Sequence, residues 1–355
     1  MKQPMLNRGD LVLVTGGAGY VGSHLVRMLL GRGYRVRVLD AFLYGDKGLQ
    51  GVYAVPGLEV EQGDICNIRD VIRTVKGARA VIALAALVGD GACDLSEDET
   101  LAINIESTKI LAEVIKANSE VERLVFASSC SVYGAADDLL INEGSCLNPV
   151  SFYARSRIMS EGILSHTLED RSVVTLRLGT VFGPSTRMRL DLMVNTMTAR
   201  AVAEGKITVR GGSAWRPHVH VEDVARAFMT AAETSGDHVA GEVFNVGSNE
   251  NNYTIADTAK IVAGLIPGTE IECSESVEDP RSYRVSFDKI RHVLGFQPRF
   301  GVEDGVRQVS GLLRDGSVDP ADLRYYNLQY LECHGFQGEA VRARRRAAQT
   351  ARAEV

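Results

Sequence analysis

A glycine-rich turn between an apolar strand and a helix constrains this chain more than any other feature. Residues 11–14 read Leu-Val-Leu-Val, a wholly apolar run that predicts a strand buried on both faces of a parallel sheet. The sequence Thr-Gly-Gly-Ala-Gly-Tyr-Val-Gly follows at 15–22, a helical pattern runs from about Val21 to Leu30, and a second strand is predicted over 34–39. Parallel strands joined by a helix form a right-handed βαβ unit. We therefore expect an α/β fold.

Three glycines in this turn each meet a physical requirement. Gly16 permits the tight turn, Gly19 lets the backbone approach a pyrophosphate, and Gly22 allows the helix to pack closely on the strand. Backbone amides at the start of the helix then face the phosphate charge. Because a strand precedes the turn and a helix follows it, the pattern predicts a dinucleotide site. Tyr20 and Val21 belong to the same predicted site.

The carboxylate at the end of the second strand indicates which dinucleotide binds. Asp40 is 24 positions after Gly16. A carboxylate there accepts hydrogen bonds from ribose hydroxyls and repels a 2′-phosphate. Arg35 and Arg37 lie within the strand and are less well placed to hold such a phosphate. The sequence therefore predicts NAD rather than NADP as the cofactor.

Strands and helices go on alternating over the first half of the chain. Strands are predicted at 58–61, 80–84, 123–127 and 173–178, and helices at 68–75, 100–116 and 153–168. This alternation predicts a Rossmann-like doubly wound parallel sheet. After Gly183-Pro184 the pattern loosens into short elements, among which 219–230 and 243–246 are predicted to rejoin the main sheet.

We predict two domains and a tail from this change of pattern. The NAD-binding Rossmann domain covers 8–183 plus about 217–247. A smaller mixed lobe, covering 184–216 and 248–330, binds the substrate. Residues 338–355 form a basic, flexible tail, since they are rich in Arg and Ala and poor in large apolar side chains.

Composition excludes several classes of function. The net charge is −6, so a general attraction to nucleic acid or to an anionic membrane is not expected. No apolar run approaches the roughly 18 residues needed to span a bilayer. Six cysteines lie far apart, without the close spacing of a zinc site or the density of a disulfide framework. We expect a cytoplasmic protein with no metal.

Further segments match, in order, those of the extended short-chain dehydrogenases/reductases. Gly63-Asp64-Ile65 resembles the segment whose Asp contacts adenine, and Leu84-Ala85-Ala86 resembles the apolar loop beside the cofactor. Asn104 resembles the structural Asn of the central helix. Over about residues 10–310 the chain resembles the NAD-dependent nucleotide-sugar epimerases and dehydratases of that family. The resemblance implies that Asp64, Ile65, Leu84, Ala85, Ala86, Asn104 and Ser128 are cofactor-binding residues.

The same resemblance implies the catalytic groups. The segment from Ser128 to Gly134 resembles the one that supplies a catalytic hydroxyl, here from Ser129, and Tyr153 opens the helix that supplies the base. Family members place a lysine four residues after the tyrosine, one helical turn on, to stabilise the phenolate beside the nicotinamide. This chain has Arg157 there.

Arg157 leaves three interpretations open. It keeps the positive charge and substitutes for lysine with altered kinetics, although a guanidinium is planar and effectively never deprotonated. Alternatively, the site is specialised or impaired. The third interpretation is a change introduced at this position. Tyr153 and Arg157 are in each case also predicted to contact the cofactor.

The predicted substrate-binding residues also come from this resemblance. Arg216 begins a segment, Arg-Pro-His-Val-His-Val-Glu-Asp, that resembles the diphosphate-binding segment of nucleotide-sugar enzymes. Asn195 and Arg281 are predicted to help it, with Arg284 as the alternative to Arg281. Ser129 and Thr180 are expected at the sugar, although many relatives have Asn in place of Thr180.

The residues after Ser129 bear on the type of reaction. Nucleotide-sugar 4,6-dehydratases of the usual kind resemble one another in having Asp-Glu there, whereas this chain has Cys130 and Ser131. Cys130 is assigned to the substrate site either as an acid or base of a 3- or 5-epimerase or as a small packed residue. A usual 4,6-dehydratase is therefore not expected.

The leading hypothesis is an NAD-dependent epimerase acting on a nucleoside-diphosphate sugar, at C4, through a transient 4-keto intermediate. One alternative is an NAD(P)-dependent 4-ketoreductase of a deoxysugar pathway, which Asp40 disfavours. Another is a catalytically reduced dinucleotide-binding protein, which Arg157 alone supports. The resemblance also implies a homodimer, because family members often pair two long helices, here those at about 100–117 and 153–168.

Overall fold

A seven-stranded parallel sheet forms the centre of the fold. The structure, a computed structural model, describes residues 5–236, 238–274 and 281–336. The sheet consists of β1 (Leu11–Thr15), β2 (Arg35–Asp40), β3 (Leu58–Gln62), β4 (Ala80–Ala83), β5 (Arg123–Ser129), β7 (Ser172–Leu178) and β11 (Val243–Val246). Its spatial order is β11-β7-β5-β4-β1-β2-β3, with all neighbours parallel. The predicted Rossmann-like doubly wound sheet is confirmed.

The short strands outside this sheet form three small sheets. They are β6 (Ala135–Ile141), β8 (Thr180–Phe182), β9 (Lys206–Val209), β10 (Trp215–His220), β12 (Asn252–Thr254), β13 (Glu270–Cys273) and β14 (Ser282–Val285). Strand β10 pairs in parallel with β8 and antiparallel with β12, while β13 pairs with β9 and β14 with β6. Of these strands, β9, β12, β13 and β14 lie within the ranges predicted for the smaller lobe, whereas β6 and β8 lie within the range predicted for the Rossmann domain.

Helices cover both faces of the main sheet and fill the smaller lobe. They are α1 (Gly22–Arg32), α2 (Ile68–Val75), α3 (Asp90–Asp94), α4 (Glu97–Thr100), α5 (Ser107–Lys116), α6 (Phe152–Thr167), α7 (Met193–Glu204), α8 (Val221–Glu233), α9 (Ile255–Leu265), α10 (Asp288–Leu294), α11 (Val302–Arg314) and α12 (Asn327–His334). Local chemistry sets several boundaries: Gly33 ends α1 with a left-handed φ of 88°, and Ser151 caps α6 by accepting a hydrogen bond from the amide of Ala154.

Alternating sides of the buried strands form two apolar cores. One core contains Val12, Val14 and residues of α1 and α8, and the other contains Leu11, Leu13 and residues of α2 and α5. This arrangement explains the unbroken apolar run of β1, since both faces of the strand are covered. The smaller lobe has a core of its own between α7, α9 and α11. The exact domain boundaries stay a prediction, and the tail at 338–355 lies outside the described residues.

The structure corrects two element predictions. The helix expected over 100–116 is interrupted by a π-helical stretch at Leu101–Glu106, between α4 and α5. The segment 219–230 does not join the main sheet as a strand. It ends β10 and forms most of α8, whose buried side chains pack on that sheet. Only 243–246 joins the sheet, as β11 beside β7.

Candidate active site

A cavity of about 610 Å³ lies at the carboxyl ends of the parallel strands. This edge is where ligands bind in open α/β sheets, and the volume suits a cofactor together with part of a substrate. Its wall includes the ends of β1, β2, β4, β5 and β7 on one side. On the other side it includes Arg216, Arg281, two residues near the described C-terminus (Asn327 and Phe336) and seven residues between 180 and 193: Thr180, Val181, Arg187, Arg189, Asp191, Leu192 and Met193.

The glycine turn of the cavity has no space for side chains. Gly16 has a left-handed φ of 73°, and a Cβ there would lie 2.8 Å from the backbone nitrogen of Ala85. A Cβ on Gly22 would lie 2.3 Å from the carbonyl oxygen of Gly16. No side chain of the described residues caps the start of α1. Glycines 16, 19 and 22, together with Tyr20 and Val21, line the cavity and form a cradle that fits a dinucleotide diphosphate.

Asp40 lies at the cavity wall at the end of β2. Its carboxylate accepts hydrogen bonds from the backbone amides of Ala18 (2.9 Å) and Phe42 (2.8 Å). Burial raises the pKa of this carboxyl, and those two hydrogen bonds and the nearby Arg187 oppose the increase. The carboxylate therefore braces the glycine turn and keeps acceptor capacity for ribose hydroxyls, so the site fits NAD.

Most of the other predicted cofactor residues also line the cavity: Asp64, Ile65, Leu84, Ala85, Ala86 and Ser128. Asn104 is different. It is buried behind the wall, where its side chain bonds the backbone N–H and C=O of Leu87 and the hydroxyl of Ser156. Its position fits a structural Asn that holds the loop after β4 against α6, rather than a residue that contacts the cofactor.

The three predicted catalytic side chains meet at one end of the cavity. Ser129 ends β5, Tyr153 lies in the first turn of α6, and Arg157 follows one turn later. The guanidinium carbon of Arg157 lies 5.5 Å from the centre of the Tyr153 ring. One guanidinium nitrogen donates to the carbonyl of Ala127 (3.3 Å), while the buried Nε has no partner in the described part of the chain. The cation therefore keeps a donor for the tyrosine or a ligand.

The acidity of Tyr153 reflects opposing effects. Burial raises the pKa of the phenol, and Cys93 and Asp90 add to the increase. Arg157 and the Ser129 hydroxyl lower it. Sequence reasoning gave the correct sign for Arg157, but in the protein alone burial dominates and the net pKa of Tyr153 lies above its ordinary value. Arg157 thus partly offsets desolvation of the phenolate.

A buried polar network joins α6 to β5 at Ser128, the residue before Ser129. Glu161, two turns after Tyr153 on α6, pairs with Arg177 of β7 at 2.7 Å. The same carboxylate accepts from the Ser128 hydroxyl, and Arg177 donates to the hydroxyl of Tyr133 (3.0 Å). These contacts fix α6 against β5 and β7, and so fix the spacing between Tyr153 and the end of β5.

The predicted substrate residues divide into two groups. Ser129, Thr180, Arg216 and Arg281 line the cavity, whereas Arg284 stacks on the Trp215 ring at 4.8 Å and is not part of the wall. Arg216 donates to the carbonyl of Trp215 (2.8 Å) and to the backbone carbonyl of Arg281, and the Arg281 guanidinium pairs with Asp90, which also lines the cavity. Two arginines that can bind a diphosphate therefore line the cavity next to each other in the fold.

Cys130 and Asn195 do not reach the cavity wall. Cys130 is fully buried, its thiol donates to the carbonyl of Arg177, and burial strongly raises its pKa. Of the two roles left open by the sequence, this geometry fits the packed residue and not an acid or base. The side chain of Asn195 bonds the backbone of Gly183 and of Arg189 and the Tyr20 hydroxyl, so it stabilises the second lobe's first loop instead of contacting substrate.

Sequence reasoning missed several cavity residues. Arg187, Arg189 and Asp191 line the wall from the loop after β8, and Asn327 and Phe336 reach it from beyond α11. The alternating Arg-Met-Arg-Leu-Asp pattern at 187–191 was a signal for the first group, since charges within an apolar stretch suggest a buried polar cluster. Nothing local marks the second group, because it depends on the tertiary path of the chain.

Two kinds of structure are absent from the described residues. None of the helices is long and apolar enough to cross a membrane. Within 5–236, 238–274 and 281–336, no three His, Cys, Asp or Glu side chains are grouped as metal ligands would be.

Comparisons with known proteins agree with this site. The model of the NAD-dependent epimerase/dehydratase family matches residues 12–247. The chain is 30% identical over 321 residues to a UDP-glucose 4-epimerase of Lactobacillus helveticus, covering 83% of this chain and 94% of that protein. It is 27% identical over 312 residues to a dTDP-glucose 4,6-dehydratase of an Actinoplanes strain, covering 84% of this chain and 95% of that protein.

A solved structure gives the same result. MoeE5, solved in complex with UDP-glucuronic acid and NAD, matches with a TM-score of 0.74 and 30% identity, covering 87% of this chain and 100% of that one. Relatives and structural neighbours are thus nucleotide-sugar 4-epimerases and 4,6-dehydratases. The chain belongs to the NAD-dependent epimerase/dehydratase family, within the extended short-chain dehydrogenases/reductases, and is an enzyme whose cofactor is NAD.

Proposed function

We propose that the protein is an epimerase that inverts C4 of a nucleoside-diphosphate sugar through a 4-keto intermediate. The observation that carries this proposal is the arrangement of Ser129, Tyr153 and Arg157 at one end of the cavity, with Arg216 and Arg281 elsewhere on its wall. Such an arrangement provides a base at a sugar hydroxyl and cations for a diphosphate. The relatives that act on nucleotide sugars support the substrate class.

Each residue has a defined task in this reaction. The Tyr153 phenolate accepts the proton of the C4 hydroxyl, while Ser129 donates a hydrogen bond to the same oxygen. Arg157 stabilises the phenolate, because a cation 5.5 Å from the ring favours negative charge there. Bound NAD supplies the hydride acceptor and donor for the two half-reactions. After the ketone has turned in the pocket, Tyr153 returns the proton, so the enzyme ends unchanged.

Other outcomes for the keto intermediate lack support in the cavity. Elimination of water in the usual 4,6-dehydratases uses an adjacent acid and base, and the turn after Ser129 has a buried thiol and the hydroxyl of Ser131. Net reduction by NADPH requires space and charge for a 2′-phosphate, which Asp40 opposes. Both arguments favour return of the hydride to the same carbon.

The proposal is tested with purified full-length protein and no added cofactor. UDP-glucose, UDP-galactose, UDP-glucuronic acid and dTDP-glucose are incubated separately in D₂O, and the sugars are followed by NMR. We expect either the pair UDP-glucose and UDP-galactose to interconvert, or one of the other two sugars to equilibrate with its C4 epimer, without solvent deuterium in the sugar carbons. We also expect NAD to remain bound through gel filtration, because it is regenerated in each cycle.

The possible results separate the candidates. Loss of water with deuterium incorporation would indicate a dehydratase. In a separate incubation of a nucleoside-diphosphate 4-keto-6-deoxysugar with added NADPH, stoichiometric consumption of NADPH would indicate a ketoreductase. Tight NAD binding with no change in any nucleotide sugar would favour the catalytically reduced protein. The variant Tyr153→Phe is the matched control, since it retains the ring and the NAD site but removes the base. It should keep NAD and lose turnover.

We also propose that the protein is a homodimer. Leu101, next to α5, and Met159, on α6, are large apolar side chains that are 43% and 50% exposed. Burying such side chains against a second copy favours association. Met159→Glu should shift the protein from dimer to monomer in light-scattering measurements, whereas a wild-type monomer would contradict the proposal.

A further inference from the structure

A short segment after β8 is attached across the start of α1. The carbonyl of Gly183 accepts from the Tyr20 hydroxyl (2.6 Å), and the Ser185 hydroxyl donates to the carbonyl of Tyr20 (2.9 Å). The carbonyl of Pro184 bonds the Nε2 of His24 (2.9 Å). Because Tyr20 belongs to the glycine turn, these contacts hold the segment beside the cavity, and Thr180, Val181 and Arg187 on either side of it line the wall.

Arg187 lies two residues after Ser185 and lines the cavity. It is only 5% exposed, and its guanidinium carbon lies 4.2 Å from the centre of the Tyr44 ring. The guanidinium donates to the side-chain oxygen of Asn327 (2.6 Å) and to the carbonyl of Met188 (3.3 Å). Both acceptors are neutral, and the described part of the chain gives Arg187 no ion pair.

A neighbouring arginine on the same loop is quite different. Arg189 forms a two-pronged pair with Asp191, at 2.9 and 2.8 Å, and the charge is neutralised there. Burial, followed by the charge of Arg189, lowers the pKa of Arg187 to about 10, although Tyr44, Asp191 and Asp40 raise it. A buried cation whose hydrogen-bond acceptors are neutral is stabilised when a ligand brings an anion close to it.

The position of Arg187 indicates which anion. Its charge acts on the carboxyl of Asp40, at the ribose end of the predicted NAD site, and on Tyr20, at the start of α1. The diphosphate of a dinucleotide lies between those two points, against the helix N-terminus. The other cationic pair, Arg216 and Arg281, belongs to a different part of the wall.

We propose that Arg187, held in place by Asn327, binds the diphosphate of the dinucleotide from the side opposite the glycine turn. This inference rests on the NAD site of the proposed function but not on the C4 reaction. It makes the C-terminal segment, residues 323–336, part of the cofactor site, because Asn327 orients the guanidinium. Asn327 is thus a positioning residue, and Arg187 is the binding residue.

Binding of three probes to the full-length protein, freed of nucleotide, tests the proposal. ADP-ribose carries the dinucleotide's diphosphate, adenosine lacks it, and UDP carries the diphosphate of the sugar substrate. Arg187→Gln should weaken ADP-ribose roughly tenfold or more, the usual range for a lost charge-assisted hydrogen bond. Adenosine and UDP should bind as they do to the wild type. Arg187→Lys should give an intermediate loss.

Arg123 provides a matched control. It is 2% exposed, it donates only to neutral acceptors, and burial lowers its pKa to about 10, as for Arg187. It lies at the start of β5 and is not part of the cavity wall. Arg123→Gln should therefore lower the melting temperature without changing the affinity for any probe. This control separates loss of a buried arginine from loss of an anion-binding group.

A second variant keeps the test informative if Arg187→Gln folds poorly. Asn327→Asp places a carboxylate of nearly the same shape against Arg187, so the protein should stay folded while the cation is neutralised. ADP-ribose affinity should again fall roughly tenfold. If Arg187 had only a structural role, Asn327→Asp would leave ADP-ribose binding unchanged, and that result would overturn the proposal.

Two other results would also overturn it. Loss of UDP binding with intact ADP-ribose binding would assign Arg187 to the substrate, and equal loss of adenosine and ADP-ribose would assign it to the nucleoside. All of these readouts are independent of turnover. A protein that never inverts C4 can therefore still support the assignment of Arg187, and an active C4 epimerase can still refute it.

Discussion

Replacement of Arg157 by Gln tests the catalytic arrangement most directly. The guanidinium carbon lies 5.5 Å from the centre of the Tyr153 ring, and both side chains line the cavity. At an effective dielectric constant of about 20, two unit charges at this distance interact by about 3 kcal/mol. Loss of that stabilisation of the phenolate corresponds to a decrease of roughly a hundredfold in kcat for C4 epimerisation. Arg157→Lys keeps the charge and should retain or raise turnover.

The pH dependence of the variant follows from the sign of each effect. Tyr153 acts as the phenolate, so activity is lost as the pH falls through its pKa. Burial raises that pKa and Arg157 lowers it, so Arg157→Gln should move the acidic limb of kcat to higher pH. At a given pH below both pKa values, the variant should therefore reach a smaller fraction of its maximal kcat than the wild type does of its own.

Arg155, two residues before Arg157 on α6, provides a matched control. Arg155 lies on the same helix, is exposed, and stacks on Phe152 with a distance of 5.7 Å to the ring centre. Arg155→Gln should leave kcat and its pH profile unchanged. If Arg157→Gln retains kcat within about threefold of the wild type, or keeps the same acidic limb, then the cation does not activate Tyr153 and the reasoning is wrong.

Three further predictions concern the supports of the site. Gly22→Ala should abolish NAD binding, because the added Cβ would lie 2.3 Å from the carbonyl oxygen of Gly16. Gly31→Ala, on the same helix, has nothing within 4 Å of the added Cβ and should bind NAD as the wild type does. Calorimetric titration with NAD distinguishes the two variants. Ser129→Ala should lower kcat roughly tenfold to a hundredfold with NAD still bound, and an unchanged kcat would remove Ser129 from the mechanism. Glu161→Gln should destabilise the fold by about 3 kcal/mol in urea unfolding, because Arg177 would be buried without its counter-charge, and a smaller change than about 1 kcal/mol would refute this.

The parts of the site that follow local rules could be predicted from the sequence. Gly16 and Gly22 were assigned correctly to a turn without room for side chains, because the requirement for glycine is set by backbone geometry within a few residues. The four-residue step from Tyr153 to Arg157 likewise had to place both side chains on one helix face. Asp40 followed from its place at the end of a buried strand. In each case, neighbouring residues determine the position.

The sequence left alternatives open, or gave the wrong contact, where the direction of a side chain depends on distant packing. Cys130 follows Ser129 directly, yet it turns into the core while Ser129 lines the cavity. Asn195 belongs to the correct loop region but bonds the loop's own backbone. Asn327 could not be assigned at all, because its contact with Arg187 joins residues 140 positions apart. A motif therefore locates a segment of the site. Which of its side chains reach the cavity depends on how sequence-distant elements pack against that segment.

Contact with the cavity, and not burial alone, distinguishes the arginines that we propose to act on ligands. Arg123 donates to three acceptors and is not part of the cavity wall, so its hydrogen bonds offset part of the cost of its burial. Arg157 has one long bond and a buried Nε without a partner in the described residues, and Arg187 has two neutral acceptors. Both of these arginines line the cavity. A buried cation with few acceptors lowers the stability of the protein without ligand. A ligand that places an anion such as a diphosphate next to that cation should therefore stabilise the protein. NAD should therefore raise the melting temperature of the wild type more than that of Arg187→Gln, and an equal increase in both would mean that the diphosphate is held by the glycine turn alone.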